Sequence, residues 1–212
     1  KVMDNNVEIT NKILALGNKN TKIIFASSTS VYGSQYKIIN SKNNQLNISP
    51  QSPYAESKIL CENIIKKKSA NYCIMRFGTI FGMSDGMRFH TAINKFCYQA
   101  AMDKEITIWK KFYKKKRPYL DLDDCVRSII FSIFNQKIKN ETLDVVTINL
   151  KVIDIIKEIE KLKKINKSFV NTKILNQLSY EVHSDRLISL KFKFNGNLFS
   201  SINKTINKLN LG

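Results

Sequence analysis

The fold of this chain is decided by residues 22–58, which read KIIFASSTSVYGSQYKIINSKNNQLNISPQSPYAESK. The stretch opens on a short continuous apolar run, which is typical of a parallel strand buried on both faces. Residues 34–51 are polar and rich in Asn, Ser and Gln, which indicates a loop. Ser52 is then a predicted N-cap and Pro53 the first helical residue, so we expect a helix to run to about Lys68.

The rest of the chain alternates between helical and extended patterns. Helical spacing or strand-like apolar runs cover, in turn, residues 3–18 (helix), 72–77 (strand), 90–103 (helix), 105–109 (strand), 121–135 (helix), 143–148 (strand), 152–162 (helix) and 200–209 (helix). In the helix at 121–135 we expect Val126, Ile129, Ile130 and Ile133 to face inward. Strands that alternate with helices predict a layered α/β architecture built on a parallel sheet.

The composition is that of a globular protein with a sizeable core. The chain has 212 residues, of which 43% are hydrophobic and 10% aromatic. It contains no run of about 18 apolar residues and no signal-peptide pattern at the N-terminus, so we expect a cytoplasmic protein and no membrane partner. The four Cys are scattered and only two His are present, which predicts reduced, packed thiols and no metal site.

The net charge of +18 would ordinarily suggest a nucleic-acid partner. Thirty of the 35 basic residues are Lys, however, and they are spread along the whole chain, whereas a dedicated phosphate-reading surface would favour Arg. Only residues 109–117, WKKFYKKKR, mix basic and aromatic side chains densely. We therefore do not expect nucleic acid to be the main partner, and binding of polyanions by this segment is the alternative.

Three side chains of the opening stretch could together move a proton at a carbinol carbon. Ligands of open α/β sheets bind beyond the carboxyl ends of the strands, where Ser28 and Thr79 are predicted to lie. Tyr54 and Lys58 are four residues apart near a helix start and so share one face. Ser28 would hold a substrate hydroxyl, Tyr54 would take its proton, and Lys58 would bind the ribose of a nicotinamide cofactor. The pKa of a Tyr is about 10, so lowering it by about three units needs about 4 kcal/mol, which Lys58 and an oxidised nicotinamide could supply.

The Tyr-x-x-x-Lys spacing carries little information by itself. With eight Tyr and many Lys, about one such pair is expected by chance, and one is present. Tyr54 could equally be an exposed helical tyrosine, and Ser28 a loop hydroxyl satisfied by backbone. The ordered context of strand, Ser-Ser-x-x-Val-Tyr-Gly, loop, Pro-x-x-Pro-Tyr and helix favours the chemical interpretation.

That context resembles the extended short-chain dehydrogenase/reductase family, the NAD-dependent nucleotide-sugar epimerases and dehydratases, over essentially the whole chain. The matching segments occur in family order: residues 4–7 (DNNV), 25–33 (FASSTSVYG), 50–58 (PQSPYAESK), 76–82 (RFGTIFG) and 117–124 (RPYLDLDD). The resemblance implies a partial Rossmann-like doubly wound parallel sheet and a smaller C-terminal α/β lobe for the substrate. It places the cofactor-domain part at residues 1–82 and mostly the substrate lobe at 83–212, with residues 118–148 returning to the Rossmann-like sheet.

The resemblance also implies roles for individual residues. Ser28, Tyr54 and Lys58 would be the catalytic set. NAD would contact residues at the strand ends and on the two flanking helices: Asn6, Ser27, Tyr54, Lys58, Phe77 and Gly78. A nucleotide sugar would contact Ser28, Thr79, Arg117, which would pair with its diphosphate, and three further residues: Thr29, Asn94 and Tyr180. NADP stays open, because the segment that reads the ribose lies outside the chain. A homodimer through the helices around residues 52–68 is expected as well.

Carboxylates just before Val-Tyr-Gly distinguish the dehydratases and decarboxylases of this family from its epimerases. Sugar dehydratases of this family need Asp-Glu just before Val-Tyr-Gly, where this chain has Thr29 and Ser30, and decarboxylases place Glu where Ser30 stands. Epimerisation, or simple oxidation and reduction of a sugar hydroxyl, is therefore expected. Thr79 and Asp121 stand where many epimerases have Asn and His, so the resemblance leaves the sugar and the nucleotide open.

The family's opening glycine motif has no counterpart in the chain. Gly-x-x-Gly-x-x-Gly after a first strand cradles the cofactor pyrophosphate, and none of the seven Gly of this chain is so arranged. We expect an N-terminally truncated member, whose 212 residues alone bind NAD weakly or not at all and could be inactive. The alternative is a non-catalytic remnant or a basic polyanion-binding module.

Overall fold

The computed structural model describes residues 2–18, 20–34, 38–40, 42, 44–45, 47–171 and 179–210. The helices are α1 (Val2–Leu16), α2 (Pro53–Lys68), α3 (Ala92–Ala101), α4 (Leu122–Phe134), α5 (Val152–Glu160), α6 (Asp185–Ser189) and α7 (Leu198–Asn210). The strands are β1 (Ile23–Ser28), β2 (Ile38–Ile39), β3 (Tyr72–Phe77), β4 (Thr79–Phe81), β5 (Ile106–Trp109), β6 (Lys116–Asp121), β7 (Glu141–Val145), β8 (Ile148–Lys151), β9 (Lys167–Val170) and β10 (Glu181–Val182). Residues 35–37, 41, 43 and 46 of the predicted loop lie outside the described residues, and β2 occupies part of what remains.

The central sheet is parallel, with strand order β1-β3-β7. Its register pairs Ser28 with Phe77 and Phe77 with Val145, so the carboxyl ends of the three strands meet at one edge. β3 and the end of β7 are buried, as their apolar sequences require. The prediction that β1 is buried on both faces is wrong: β1 lies at the edge of the described sheet, Ile23–Phe25 are partly buried and Ala26 is exposed. The predicted α/β class with a parallel sheet is confirmed.

Two smaller sheets extend beyond that edge. Strand β6 lies between β4, to which it is parallel, and β8, to which it is antiparallel, and β5 pairs with β9. Helices α3, α5 and α7 cover them with a separate apolar core: Phe81, Ile93, Phe96, Cys97, Ile106, Ile108, Tyr119, Ile155, Ile156, Ile159, Ile202 and Ile206 are among its buried members. The described residues thus form one core beside the central sheet, another in the part that follows β4, and a smaller third cluster: Val31, Tyr32, Ile39, Val146, Tyr180 and Val182.

Helix α2 begins as its sequence predicts. Ser52 has extended backbone angles and its side chain accepts a hydrogen bond of 3.2 Å from the Ala55 amide, while Pro53 occupies the first turn. The cap satisfies one of the unpaired amides of the helix start. It also fixes where the following residue, Tyr54, enters the first turn.

The predicted inward face of α4 is wrong. Val126, Ile130 and Ile133 are 48%, 50% and 49% exposed, and only Ile129 packs against the core beside the central sheet. The buried face of the helix carries Asp124, Cys125, Ser128 and Ser132 instead.

A buried carboxylate explains this rotation of α4. The oxygens of Asp124 accept hydrogen bonds of 2.9 Å from the Thr147 hydroxyl and from the amides of Asn195 and Gly196. Turning the apolar stripe inward would break these bonds and leave buried polar groups without partners, which costs more than exposing three aliphatic side chains.

The four Cys of the chain lie in the described residues and are packed in the interior. Cys61, Cys73, Cys97 and Cys125 are buried and unpaired, and burial raises the pKa of Cys97 to about 12, so that thiol stays protonated at neutral pH. No group of three or more potential metal ligands occurs among the described residues. None of the described helices is both long enough and apolar enough to span a bilayer.

Gly33 ends the turn after β1 in a conformation that other residues avoid. Its φ is +62° and a Cβ there would lie 2.1 Å from the Ser49 carbonyl oxygen. We expect Gly33→Ala to lower the free energy of unfolding by about 2 kcal/mol or more, because the backbone of the turn and the loop must separate. Urea denaturation measures the change. Gly86→Ala is the control, since a Cβ at Gly86 meets nothing within 4 Å; equal midpoints for the two variants would contradict the prediction.

Candidate active site

Ser28, Tyr54 and Lys58 line one cleft of about 650 Å³ at the carboxyl edge of the central sheet. Ser28 is the last residue of β1, and the other two lie in the first two turns of α2. The trio that the sequence proposed is thus brought together by the β1-loop-α2 connection.

The Ser28 hydroxyl is oriented by its own backbone. Its oxygen accepts a hydrogen bond of 3.2 Å from the Ser30 amide and caps the short turn at Thr29–Tyr32. An oxygen held in this way keeps its O–H to donate toward the cleft.

Tyr54 is 46% exposed and forms part of the cleft wall. Burial of the ring raises its pKa above the usual value, and a hydrogen bond with Ser28 and the positive charge of Arg88 oppose that rise. The phenol is therefore protonated at neutral pH, and a further positive charge in the cleft would be needed to make it a base.

Lys58 is anchored on the strand beside it. Its Nζ donates a 2.8 Å hydrogen bond to the Ala26 carbonyl and lies 5.6 Å from the centre of the Tyr54 ring. Burial lowers the pKa of this ammonium, partly offset by Cys61 and Glu62. In this arrangement the charge that acts on Tyr54 is that of Arg88.

Five more of the predicted contact residues line the same cleft: Ser27, Phe77, Gly78, Thr79 and Asn94. The Ser27 hydroxyl is already committed to the Glu62 carboxylate at 2.6 Å. The Asn94 amide accepts from the Gly82 amide at 3.2 Å and donates to the Arg88 carbonyl at 3.2 Å. Asn94 thus holds both ends of the loop at residues 82–88.

Four predicted site residues lie outside the described lining of this cleft: Asn6, Thr29, Arg117 and Tyr180. The Asn6 amide donates to the Ser57 hydroxyl at 2.9 Å and lines a groove among α1, β1 and α2 that shares Ala26 and Lys58 with the cleft. Tyr180 donates a 3.2 Å hydrogen bond to Thr29, and both are buried beneath the Ser28 turn. Asn6 and Tyr180 therefore support the walls of the site in this structure.

Arg117 lines a second cavity, of about 290 Å³, which adjoins the first and shares Thr79, His90 and Thr91 with it. Three cationic and several aromatic or aliphatic side chains surround this space: Lys95, Lys115, Arg117, Phe96, Trp109, Phe112, Tyr119 and Val152. Trp109, Phe112, Lys115 and Arg117 belong to the basic segment at 109–117. That segment contributes a wall to a small cavity.

Buried charges brace the catalytic elements from behind. Arg76, fully buried on β3, donates to both oxygens of Glu62 on α2, at 2.9 and 2.6 Å, and to the Tyr32 hydroxyl at 3.0 Å. Tyr32 in turn donates to the buried Asp144 on β7, and burial raises the pKa of that carboxyl to about 6. The network ties α2 to all three strands of the central sheet.

Sequence reasoning missed Arg88, His90 and the Glu62–Arg76 pair. Arg88 and His90 follow a Gly-rich turn with no periodic pattern, so only their place after a strand end could have indicated a role. The spacing of 14 residues between Glu62 and Arg76 falls across a helix and a strand. Only the crossover that packs α2 on β3 brings them together.

Comparison with known proteins identifies the family and the fold. A model of the NAD dependent epimerase/dehydratase family matches residues 1–147. The UDP-glucuronic acid 4-epimerase of Bacillus cereus, solved with UDP-glucuronic acid and NAD, superposes with a TM-score of 0.80 at 22% identity, over 97% of this chain and 67% of that one.

Two further structures show the same fold. The UDP-glucose 4-epimerase of Thermotoga maritima, solved with UDP-glucose, has a TM-score of 0.79 at 17% identity, over 95% of this chain and 67% of that one. The ADP-L-glycero-D-manno-heptose-6-epimerase of Helicobacter pylori has a TM-score of 0.82 at 18% identity, over 98% and 66%. The chain thus spans about two thirds of the length of these structures.

Proposed function

Because this chain belongs to the NAD-dependent epimerase/dehydratase family, we propose that it acts in the NAD-dependent epimerisation of a nucleotide sugar. The observation that carries the proposal is the single cleft in which a hydroxyl, a phenol and an ammonium meet at the carboxyl edge of the sheet. Residues 1–82 supply these proton-transfer groups, and residues 83–212 mostly supply contacts to the substrate.

The groups of the cleft fit the nicotinamide end of the cofactor. Lys58 and Tyr54 offer the donors that would hold its ribose, and Phe77 and Gly78 lie in the same lining. The chemistry that NAD would supply when held there is reversible hydride transfer at the carbinol carbon. NAD is proposed because it is bound in the B. cereus structure. NADP stays open, because the residues that read the ribose would decide between the two cofactors.

Three residues of this chain would orient the substrate hydroxyl and transfer its proton. Ser28 donates its hydroxyl hydrogen toward the substrate oxygen and so aligns the reacting hydroxyl. Tyr54 takes the proton of that hydroxyl as the carbinol is oxidised and gives it back when the carbonyl is reduced. Lys58 contributes positive charge to the same wall, which favours the ionised phenol once the cleft is filled.

Epimerisation is favoured over dehydration because the described lining of the cleft holds no carboxylate. Thr29 and Ser30 occupy the positions at which the family's dehydratases carry Asp and Glu. No lining residue is Asp or Glu, so a proton at a second carbon has no carboxylate acceptor.

The second cavity supports a nucleoside diphosphate as the other end of the substrate. Arg117, Lys115 and Lys95 match a diphosphate in charge, and Trp109 and Phe112 offer flat apolar surfaces. The same lining argues against the polyanion alternative, because the densest basic and aromatic side chains of the chain enclose a space suited to a small anion.

A second copy of the chain is the proposed protein partner. Helices α1 and α2 pack together and leave aliphatic side chains outward, with Ile9 55%, Ile13 51% and Leu60 44% exposed. A homodimer through this surface would bury them.

Turnover of nucleotide sugars tests the proposal. Because the 212 residues alone are expected to bind NAD weakly, the full-length protein is incubated with NAD and with UDP-glucose or UDP-glucuronic acid, and proton NMR follows the configuration at C4. We expect a C4 epimer to form and the same equilibrium mixture to be reached from either epimer, only when NAD is added. Binding of UDP without formation of any epimer would contradict the enzymatic proposal, and loss of water or carbon dioxide would replace epimerisation by another reaction of the family.

A further inference from the structure

A single buried carboxylate, that of Asp124, joins three segments of the chain. Asp124 is fully buried near the start of α4, and one of its oxygens accepts hydrogen bonds of 2.9 Å from the Thr147 hydroxyl and the Gly196 amide. Its other oxygen accepts from the Asn195 amide at 2.9 Å and from the Arg127 guanidinium at 2.8 Å. Asp124 therefore ties α4 to the residue that precedes β8 and to the loop that leads into α7.

Thr147 carries this contact to β6. The Thr147 amide donates to the Tyr119 carbonyl at 2.9 Å, and the Thr147 hydroxyl accepts from the Asp121 amide at 3.0 Å. Arg117 and Tyr119 of the same strand line the second cavity. Asp124 is thus connected, through one residue, to the strand that forms one wall of that cavity.

The start of α7 lies against the same corner of the fold. A Cβ on Gly196 would lie 2.5 Å from the Asp121 Cβ and 2.8 Å from an oxygen of Asp124, so the loop has no room for a side chain there. Helix α7 begins two residues later, at Leu198, and the Ser201 hydroxyl in its first turn donates a 2.5 Å hydrogen bond to the Asp121 carboxylate. The two carboxylates together fix where α7 begins.

Helix α7 supports α3, which forms another wall of the second cavity. Ile202 and Ile206 of α7 are buried in the same apolar core as Phe96 of α3. Phe96 and its neighbour Lys95 line the second cavity. A shift of α7 would therefore move the wall that carries Lys95 relative to the wall that carries Arg117.

We propose that Asp124 is a positioning residue for the second cavity: by holding the start of α7 against the end of β6, it sets the spacing between the α3 and β6 walls. The inference rests on the proposed function, since it assumes that a nucleoside diphosphate binds between Lys95 and Arg117. Geometry and charge predict opposite results when Asp124 is neutralised. Removal of a negative charge favours the binding of an anion, whereas displaced walls weaken it.

Calorimetric titration of UDP into the 212-residue chain tests the inference. Asp124→Asn keeps the shape of the side chain but places an amide nitrogen against two of the four donors, and we expect the Kd for UDP to rise about tenfold. Gly196→Ala displaces the loop from the same corner without changing a charge and should weaken UDP binding similarly. Because both changes break one contact, the double variant should lose clearly less affinity than the product of the two single effects.

Two further variants keep the test independent of stability. Ile138 is buried in the core beside the central sheet and lines none of the cavities described here, so Ile138→Val should lower the unfolding temperature without changing the Kd for UDP. Ser201→Ala removes only the hydrogen bond to Asp121 and should raise the Kd about threefold, which provides the measurement even if Asp124→Asn does not fold. Thermal unfolding verifies that each variant is folded at the temperature of the titration.

Turnover by the full-length protein gives a second readout. Ser28, Tyr54 and Lys58 lie on β1 and α2, away from the contacts of Asp124. Asp124→Asn should therefore raise KM for the nucleotide sugar and leave kcat within about twofold, the result of losing binding that the ground state and the transition state share.

The possible failures separate the two proposals. Unchanged UDP affinity in Asp124→Asn, Gly196→Ala and Ser201→Ala would overturn the positioning role while leaving the nucleotide-sugar function intact. Tighter binding of UDP by Asp124→Asn would show an effect of charge alone, and an equal loss in Ile138→Val would show an effect of stability alone; either result would overturn it as well. No binding of UDP by the unmodified chain would overturn the proposed function, and the inference with it.

Discussion

Replacing Arg76 with methionine is expected to lower the free energy of unfolding by about 3–5 kcal/mol, because it strands the Glu62 carboxylate in the interior. Both side chains are buried, 0% and 1% exposed. Loss of the guanidinium removes the two hydrogen bonds to Glu62 and those to Tyr32 and the Asn44 carbonyl. The remaining cation is Lys66, whose Nζ lies 3.8 Å from Glu62.

Urea denaturation of matched variants measures this effect. Arg186→Met is the control, because its partner Glu141 and Arg186 itself are 24% and 39% exposed and such a pair contributes about 1 kcal/mol or less. The double variant Arg76→Met with Glu62→Leu should regain about half of the lost stability, since it no longer buries an unpaired charge. Similar midpoints for Arg76→Met and Arg186→Met would show that the buried pair does not stabilise the fold.

The same pair connects stability to the site. Glu62 lies one helical turn beyond Lys58 and two beyond Tyr54, and its carboxylate also accepts from Ser27, the neighbour of Ser28. From helix α2, the Glu62 carboxylate accepts hydrogen bonds from Ser27 on β1 and Arg76 on β3, and these bonds set how α2 packs on the central sheet. The position of the proton-transfer groups therefore depends on charges that never contact a ligand.

Local patterns predicted the parts of this structure that local interactions decide. The buried strand β3 and the Ser52-Pro53 start of α2 follow from burial and capping within a few residues, and β1 was predicted as a strand but not as the partly exposed edge strand that it is. The orientation of α4 does not, because Asp124 finds Thr147 and Gly196 only after distant segments have packed. An apolar stripe is a good guide to the buried face only where no buried charge competes with it.

In the candidate site, too, local sequence predicts some residues, while others depend on distant packing. Ser28, Tyr54 and Lys58 could be proposed because one connection carries all three. Ligand contacts of Asn6 and Tyr180 stay predictions; in this structure their side chains bond Ser57 and Thr29, and Tyr180 also packs in a buried apolar cluster. Arg88 went unnoticed because its place in the cleft depends on a loop held by α3 through Asn94, a contact that no spacing rule encodes.

Replacing Tyr54 with phenylalanine is the change with the largest expected effect on turnover. We expect kcat for C4 epimerisation to fall about 10²–10⁴-fold, because the only phenol in the described lining of the reactive cleft can no longer take or return the proton. Affinity for UDP-glucose should change little, since Arg117 and the second cavity keep their contacts. Tyr72→Phe is the control: this tyrosine begins β3 and lines none of the cavities described here.

The dependence of turnover on pH distinguishes a proton-transfer role from a packing role. Burial holds the pKa of Tyr54 above its usual value in this structure, so the fraction of ionised phenol grows as the pH rises toward that value. The rate of sugar oxidation should therefore increase with pH in the unmodified protein and become insensitive to pH in Tyr54→Phe. Removing the positive charge with Arg88→Met should move the rise to higher pH, because that charge favours the ionised phenol. A Tyr54→Phe variant that keeps both its turnover and its pH dependence would exclude Tyr54 as the base.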